Sequence, residues 1–262
     1  MTIIELLAAG GLGITAYMLS LWLASLRLKD ASIVDIFWGP GFVMVVWLYF
    51  LAAPDGYEPR QLLAASLTTV WGLRLGVYLA WRNLGKGEDY RYLAWRQSHG
   101  AKWWWHSLFK VFLLQGAVMW LVSLPLALAQ FSPAPAAWTA LDVLGVALWG
   151  TGLFFEAVGD WQLARFKANP ANRGRVMDRG LWRYTRHPNY FGDALVWWGL
   201  FLLAASAPWG WLTVISPVAM TLLLMRVSGV ALLERSLTRT KPEYADYIRS
   251  TSAFFPRPPR KS

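Results

Sequence analysis

Seven apolar runs divide the sequence: Ile3–Leu26, Ile33–Ala53, Leu62–Trp81, Leu108–Gln130, Ala137–Val158, Phe191–Ala207 and Trp209–Met225. Each approaches the roughly 17–25 residues that an α-helix needs to cross the hydrocarbon of a bilayer. Lipid offers no partner to an unpaired backbone N–H or C=O, so helices that satisfy their own backbone are the form such runs take. The expectation is an all-α, polytopic membrane protein with about seven transmembrane helices. Only Ala207-Pro208-Trp209-Gly210 separates the last two runs, a turn that would also suit one re-entrant hairpin. The first 30 residues lack the basic start, short apolar core and small-residue cleavage site of a secretory signal, and are read as a retained span.

The positive charges supply an orientation. Of the 25 Lys and Arg, 21 fall in the connections that follow the odd-numbered runs or in the C-terminal tail, with Arg60 alone on the other side. Arg74, Lys110 and Arg226 lie in or at the ends of runs. Lys and Arg near span ends are retained in the cytoplasm during insertion, which places the N-terminus outside and the C-terminus inside. The same distribution bears on the net charge of +10, which in a soluble chain would suggest nucleic acid. Here it serves topology, so the expected partners are membrane lipids and an apolar small-molecule or lipid substrate, with no nucleic acid. Trp81 and Trp103-Trp104-Trp105 stand at run edges, where indole bridges headgroup and hydrocarbon. The chain reads as one integral membrane domain, 1–262, with a substrate side in 1–107 and a cofactor-binding half in 108–262.

Chemistry is sought on the cytoplasmic side, where the connections are long. The stretch from Glu156 to Asp193 carries seven Lys and Arg between Arg165 and Arg186, enough to hold several phosphate oxygens, since guanidinium groups bind phosphate bidentately. Positive-inside bias together with anionic headgroups would account for the same residues. Arg186-His187-Pro188-Asn189-Tyr190-Phe191-Gly192-Asp193 brings polar groups into the start of an apolar helix, with Pro188 suited to its first position and Asn189 and Asp193 one turn apart. Glu156 and Asp160 share a helix face in the same way, and Arg226 and Glu234 could close the pocket from another side. Within the membrane, Asp35, Arg74 and Tyr78 are the groups placed to meet a substrate, although Asp35 and Arg74 could be a structural ion pair. The connection Asn83–Tyr92 resembles a phosphate loop only loosely.

Several classes drop out. The chain has no cysteine, hence no disulfide, thiolate metal site or thiol nucleophile. His99, His106 and His187 lack the short spacing of metal ligands, and no metal site is expected. Neither Gly10–Gly13 nor Gly85–Gly87 completes G-x-G-x-x-G, and the phosphate-loop, zinc-hydrolase and serine-hydrolase motifs are missing.

Four stretches carry a resemblance: SIVDIFWGPGF at Ser32–Phe42, WGLRLGVYLAWRNLGKGEDYRY at Trp71–Tyr92, GLWRYTRHPNYFGD at Gly180–Asp193, and the tail from Leu233 to Pro256. Together they resemble the membrane steroid 5-alpha-reductase-like superfamily, in its bacterial branch. That resemblance implies seven helices with a cytoplasmic C-terminus, a multi-pass location in the bacterial inner membrane, and an NADPH site built from inner loops and helix ends. It further implies reduction of a carbon–carbon double bond conjugated to a carbonyl in a steroid-like or other lipid substrate. Asp160, Lys167, Arg175, Asn189, Tyr190, Asp193 and Arg226 fall where the reductases contact dinucleotide. Arg165, Lys167, Arg175, Arg183 and Arg186 are then the candidate phosphate partners, Asn189 and Asp193 the partners of the nicotinamide amide or ribose, and Tyr184, His187 and Glu234 further cofactor contacts. Tyr78, oriented by Asp35, is the candidate proton donor or carbonyl anchor. Glu156, Val230 and Glu234 depart from the Asn, His and Tyr common in the steroid reductases.

RHPNYFGD, Leu233-Glu234-Arg235 and PEYADYIRSTSAFFP are also similar to the C-terminal half of isoprenylcysteine and phospholipid methyltransferases, which bind S-adenosylmethionine. The two cofactors differ in charge. NADPH brings a pyrophosphate and a 2′-phosphate, whereas S-adenosylmethionine is a phosphate-free sulfonium suited to carboxylate and aromatic contacts. Seven Lys and Arg in one connection favour NADPH. A third class, a lipid-binding protein whose basic loops hold headgroups, predicts salt-sensitive binding to anionic lipid and no saturable cofactor binding.

Overall fold

A computed structural model describes the chain except for residues 228, 229, 231–233, 235, 236, 239, 240, 242, 261 and 262. Among the described residues all regular structure is helical. Four stretches are long and apolar enough to cross a membrane: Ile3–Leu28, Glu58–Asn83, Tyr90–Val122 and Ala140–Ala168. Trp38–Ala52 and Gly210–Arg226 are shorter apolar helices. Large apolar side chains stand on the outside, among them Ile4, Leu12, Leu51 and Val77, each more than two-thirds exposed. A water-soluble surface would not gather them on span-length helices, so lipid is their natural solvent. The chain forms two compact units, 1–139 with 203–213, and 140–202 with 214–262.

In the first unit, α1 (Ile3–Leu28) opens with a reciprocal cap: the Glu5 N–H donates to Thr2 Oγ1 at 3.2 Å and the Thr2 N–H to Glu5 Oε2 at 2.8 Å. The second apolar run does not form one helix. It divides at Phe37 into α2 (Ile33–Ile36) and α3 (Trp38–Ala52). Pro40 has no N–H for the Ile36 carbonyl, and the Phe37 carbonyl accepts from the Tyr17 hydroxyl at 2.8 Å, so the break costs little. Against α3 lies α4 (Glu58–Asn83), in backbone contact: a Cβ on Gly39 would fall 2.3 Å from the Gly72 carbonyl oxygen. Small residues admit this approach, which in a membrane replaces hydrophobic burial as the source of packing energy.

After α5 (Tyr90–His99) and α6 (Trp103–Ser107), a π-helical stretch, Leu108–Leu113, leads into α7 (Leu114–Val122). The fourth run then breaks at Ser123, because Pro125 denies an N–H to the Leu121 carbonyl, and resumes as α8 (Leu124–Phe131). Buried Gln61 and Gln130 tie the ends of α4 and α8: Gln61 Nε2 donates to the Ala53 and Gln130 carbonyls at 2.6 Å each, and Gln130 Nε2 donates to the Gln61 carbonyl at 2.9 Å. Arg60, the lone outer cation of the sequence pattern, is fully buried and donates to the Pro135 and Ala137 carbonyls at 3.1 and 3.0 Å.

The second unit is organised by α9 (Ala140–Ala168) and α10 (Pro188–Ala205), the latter contributing 188–202. Gly145, Gly152 and Gly159 recur every seven residues on α9, and Gly192 and Gly199 do so on α10. The two rows face each other: a Cβ on Gly199 would lie 2.6 Å from the Gly145 oxygen, and one on Gly152 would lie 2.6 Å from the Gly192 oxygen. Pro188 occupies the first position of α10, where its missing N–H is not needed. Beyond α11 (Ile215–Leu222) comes a second π-helical stretch, Leu223–Val227, and the tail carries α12 (Tyr244–Ser250).

Candidate functional site

Close packing of α9 on α10 places the first turn of α10 beside the end of α9, where the basic connection begins. The Trp182 indole N–H donates to the Gly159 carbonyl at 3.0 Å, and the Leu181 N–H donates to Gln162 Oε1 at 3.0 Å. Gly180 permits that turn. Its φ is +59°, and a Cβ there would lie 2.5 Å from the Gln162 side chain. The connection therefore folds back over the helix end and encloses a cavity of about 510 Å³, a typical size for a small-molecule site.

Aromatic walls come from Phe166, Trp182, Tyr244 and Tyr247, and the cations Lys167, Arg173, Arg186 and Lys241 line the cavity with them. No Asp or Glu lines it among the described residues. Burial raises the Tyr244 and Tyr247 hydroxyls above the ordinary phenol range, so both stay neutral. The Tyr247 hydroxyl donates to the Trp182 carbonyl, joining α12 to the wall.

Glu234 holds the deepest part of the site together. Its carboxylate accepts from Arg186 Nε at 2.7 Å, from Arg186 Nη2 at 3.1 Å and from His187 Nε2 at 3.0 Å. Partial burial of Glu234 opposes ionisation, but these two partners outweigh it and hold the carboxyl at a pKa of about 2. Burial of the His187 ring keeps its pKa below the usual imidazole value, despite the neighbouring carboxylate. A neutral ring facing an ionised acceptor must carry its proton on Nε2. That leaves Nδ1 as a buried acceptor with no protein partner among the described residues. Tyr190 stacks on the same ring, with centroids 5.5 Å apart and planes 7° from parallel.

Arg186 is buried and saturated, because its Nη1 also donates to the Ile248 and Thr251 carbonyls. The expectation that it binds phosphate directly is therefore corrected: its donors are spent on Glu234 and the tail. Of the other expected phosphate partners, Lys167 lines the cavity, while Arg165, Arg175 and Arg183 are exposed. Arg165 lies over the Trp161 ring at 5.5 Å, the Arg175 carbonyl accepts from Lys241, and Arg183 lines a separate, wider cavity with Arg179 and the acids Asp178, Glu243 and Asp246. Asn189 donates to the buried Asp160 at 3.1 Å, joining the first turn of α10 to α9, and Asp193 follows one turn later. Tyr184 is exposed and uses its carbonyl to accept from the Arg257 N–H at 2.9 Å. Arg226 is exposed at the end of the second π-helical stretch.

Asp35 belongs to the first unit, and its partners differ from those expected. Arg91 Nη2 donates to it at 3.0 Å and the Tyr92 hydroxyl at 2.8 Å, and Gln115 Nε2 donates to the Tyr92 hydroxyl at 3.3 Å. Arg74 instead lies over the Tyr78 ring at 5.3 Å, with Arg82 over the same ring at 5.7 Å. The pairing of Asp35 with Arg74 or Tyr78 is thus replaced by one with Arg91 and Tyr92. The connection Asn83–Tyr92 is held by ion pairs rather than left open as a phosphate loop. Glu88 grips Arg96 through two bonds of 2.7 and 2.8 Å and accepts the Ala31 N–H at 2.7 Å.

Sequence reasoning missed Arg173, Trp182, Tyr244, Tyr247, Lys241 and Tyr92. Tyr244 and Tyr247 stand one helical turn apart in PEYADYIRS, a spacing that marks one face once the segment is read as a helix. Tyr92 is the last residue of the Asn83–Tyr92 connection but gives no periodic signal.

Fold and site together define an all-helical protein with membrane-length helices and a cationic, aromatic-walled cavity at the helix ends of its second unit. The chain belongs to the family described as protein of unknown function DUF1295, which matches residues 21–251. An uncharacterized protein of the fission yeast Schizosaccharomyces pombe is 28% identical over 264 residues, covering 90% of this chain and 76% of that one. No solved structure matches the chain.

Proposed function

We propose that the protein is an NADPH-dependent reductase of a carbon–carbon double bond conjugated to a carbonyl, acting on a steroid-like or other apolar lipid. The observation that carries this reading is the charge of the 510 Å³ cavity: Lys167, Arg173 and Lys241 line it beside Arg186, whose charge Glu234 offsets, and no carboxylate lines it among the described residues. A pyrophosphate and a 2′-phosphate are stabilised by such a lining, whereas a sulfonium is repelled. Lys167, Arg173 and Lys241 bind phosphate, and Trp182, Tyr244 and Tyr247 hold the planar rings. His187 Nδ1 accepts from a carboxamide or amino N–H, with its tautomer set by Glu234. Bound here, the dinucleotide supplies a hydride for the β carbon of the enone. The proton for the α carbon and the polarisation of the carbonyl are tasks for a chain acid. The resemblance of the Gly180–Asp193 stretch to the reductases supports the dinucleotide assignment, and the reading includes seven spans with the basic connections in the cytoplasm.

The second reading, an S-adenosylmethionine-dependent methyltransferase, draws on the aromatic walls, which would favour a sulfonium by cation–π attraction. Thermal unfolding of the detergent-solubilised chain separates the two, since a ligand that binds the folded state raises its melting temperature. NADPH is expected to stabilise the protein, and R173A/K241A to weaken that binding by about two orders of magnitude, the loss of two charge-assisted contacts. Stabilisation by S-adenosylmethionine alone would overturn the reductase assignment.

A further inference from the structure

The tail of the second unit encloses a separate cavity of about 320 Å³ that the proposed cofactor site does not use. Its lining includes Arg249, Arg257 and Arg260 together with Ser250, Thr251 and Ser252, and no Asp or Glu among the described residues. Two nearby charges are already offset. Arg249 pairs with Asp246, and Arg186, which forms part of the lining, pairs with Glu234 at 2.7 Å. Neither Arg257 nor Arg260 has a side-chain partner among the described residues, and both are exposed at the rim.

The folded tail brings these two guanidinium groups together by contacts in which they take no part. The Arg257 N–H donates to the Tyr184 carbonyl and the Arg260 N–H to the Ser250 carbonyl, both at 2.9 Å. Thr185 Oγ1 donates to the Phe254 carbonyl at 2.8 Å, and Phe191 packs edge-on against Phe254 and Phe255 with centroids 5.9 and 6.2 Å away. Backbone hydrogen bonds and aromatic packing thus hold two like charges around one small cavity. An anion bound between them would offset their mutual repulsion. The hydroxyls beside them make only long bonds: Ser250 Oγ donates to the Tyr247 carbonyl at 3.3 Å, Thr251 Oγ1 to the Arg183 carbonyl at 3.5 Å, and the two hydroxyls lie 3.4 Å apart. Forked guanidinium donors flanked by hydroxyl donors match the tetrahedral oxygens of phosphate better than a planar carboxylate or a halide.

We propose that this cavity is a second anion site, which binds a phosphate group through Arg257 and Arg260 with Ser250, Thr251 and Ser252. It does not rest on the cofactor assignment. The same chemistry is offered by an anionic lipid headgroup and by free phosphate, and the cavity volume admits a phosphoglycerol group as well as the bare ion.

The test uses the full chain in neutral maltoside detergent, comparing wild type with R257Q/R260Q. Thermal stability is followed at constant ionic strength while inorganic phosphate, dihexanoyl phosphatidylglycerol or NADPH is titrated separately. Because neither substituted side chain has a polar partner among the described residues, the ligand-free melting temperature is expected to stay within about 2 °C of wild type. R260Q alone serves if the double variant does not fold. A saturable rise in melting temperature with phosphatidylglycerol but not inorganic phosphate identifies the source as a headgroup, and a response to both identifies a general phosphate site. In either case the variant should bind at least tenfold more weakly, with its response to NADPH unchanged. Equal responses in wild type and variant, or no response to either phosphate compound, would overturn the proposal. So would a variant that loses only its NADPH response, since the two cavities would then form one dinucleotide site.

Discussion

Gly192→Ala is expected to disrupt the second unit, although it adds a single methyl group. The new Cβ would lie 2.4 Å from the Glu156 nitrogen and 2.5 Å from the Gly152 oxygen, distances that real Cβ atoms do not reach. Both obstacles are backbone atoms, so no side chain can rotate away, and α9 and α10 must separate. Overpacking of this kind costs about 3 kcal/mol, at the upper end for a point substitution. Separation would also pull Asn189 from Asp160 and open the 510 Å³ cavity. Gly150→Ala is the control on the facing helix α9, because a Cβ there meets nothing within 4 Å. It should stabilise α9 by roughly 0.5–1 kcal/mol through helix propensity. Thermal unfolding and gel filtration in detergent measure both. Equal melting temperatures for the two variants would show that the helices do not touch through glycine.

The second large effect lies at Glu234. Glu234→Ala leaves the buried Arg186 guanidinium without its counter-charge, and breaking such a pair from one side costs about 3–5 kcal/mol. Glu234→Gln, which keeps the shape and removes the charge, isolates the pH dependence. The folded-state carboxyl pKa, about 2, lies below the ordinary value of 4.5. Its contribution is therefore present in full above pH 4.5 and is lost as the pH falls through about 2, for a total of roughly 3 kcal/mol. His187 acts in the same direction, because a buried neutral ring with a lowered pKa resists protonation that the unfolded chain accepts below about pH 6.5. Wild type should lose stability steeply in acid, and Glu234→Gln should lose less over the same interval. Parallel curves for the two proteins would exclude Glu234 as the group that titrates.

Much of the architecture is legible because burial in lipid demands long apolar runs. Ile3–Leu28, Glu58–Asn83 and Ala140–Ala168 coincide closely with expected spans. Where runs and helices part, proline is the cause: Pro40 divides the second run and Pro125 the fourth. The glycine rows were visible as seven-residue spacings, but spacing cannot tell which helix faces which. The RHPNYFGD stretch lies beside the 510 Å³ cavity, which Arg186 and His187 line, for a related reason. Polar residues at the start of an apolar helix are costly unless they are paired, and His187 and Asn189 are indeed paired.

What the sequence alone determined is the kind of protein this is: all-helical, of membrane composition, with its cations gathered outside the apolar runs. These are properties of local runs, and each residue contributes to them by type. Tertiary structure alone decided which cations serve a site and which serve the fold. Arg186 and Arg173 are the same residue type in the same connection and both line the cavity, yet Arg186 is saturated by Glu234 and two carbonyls, while the Arg173 side chain has no polar partner among the described residues. Asp35 finds Arg91 and Tyr92, 56 and 57 positions away, rather than Arg74 or Tyr78. The physical reason is common to both cases. A charge near lipid takes whichever partner the folded backbone brings within about 3 Å, and that distance depends on helix packing rather than on sequence separation.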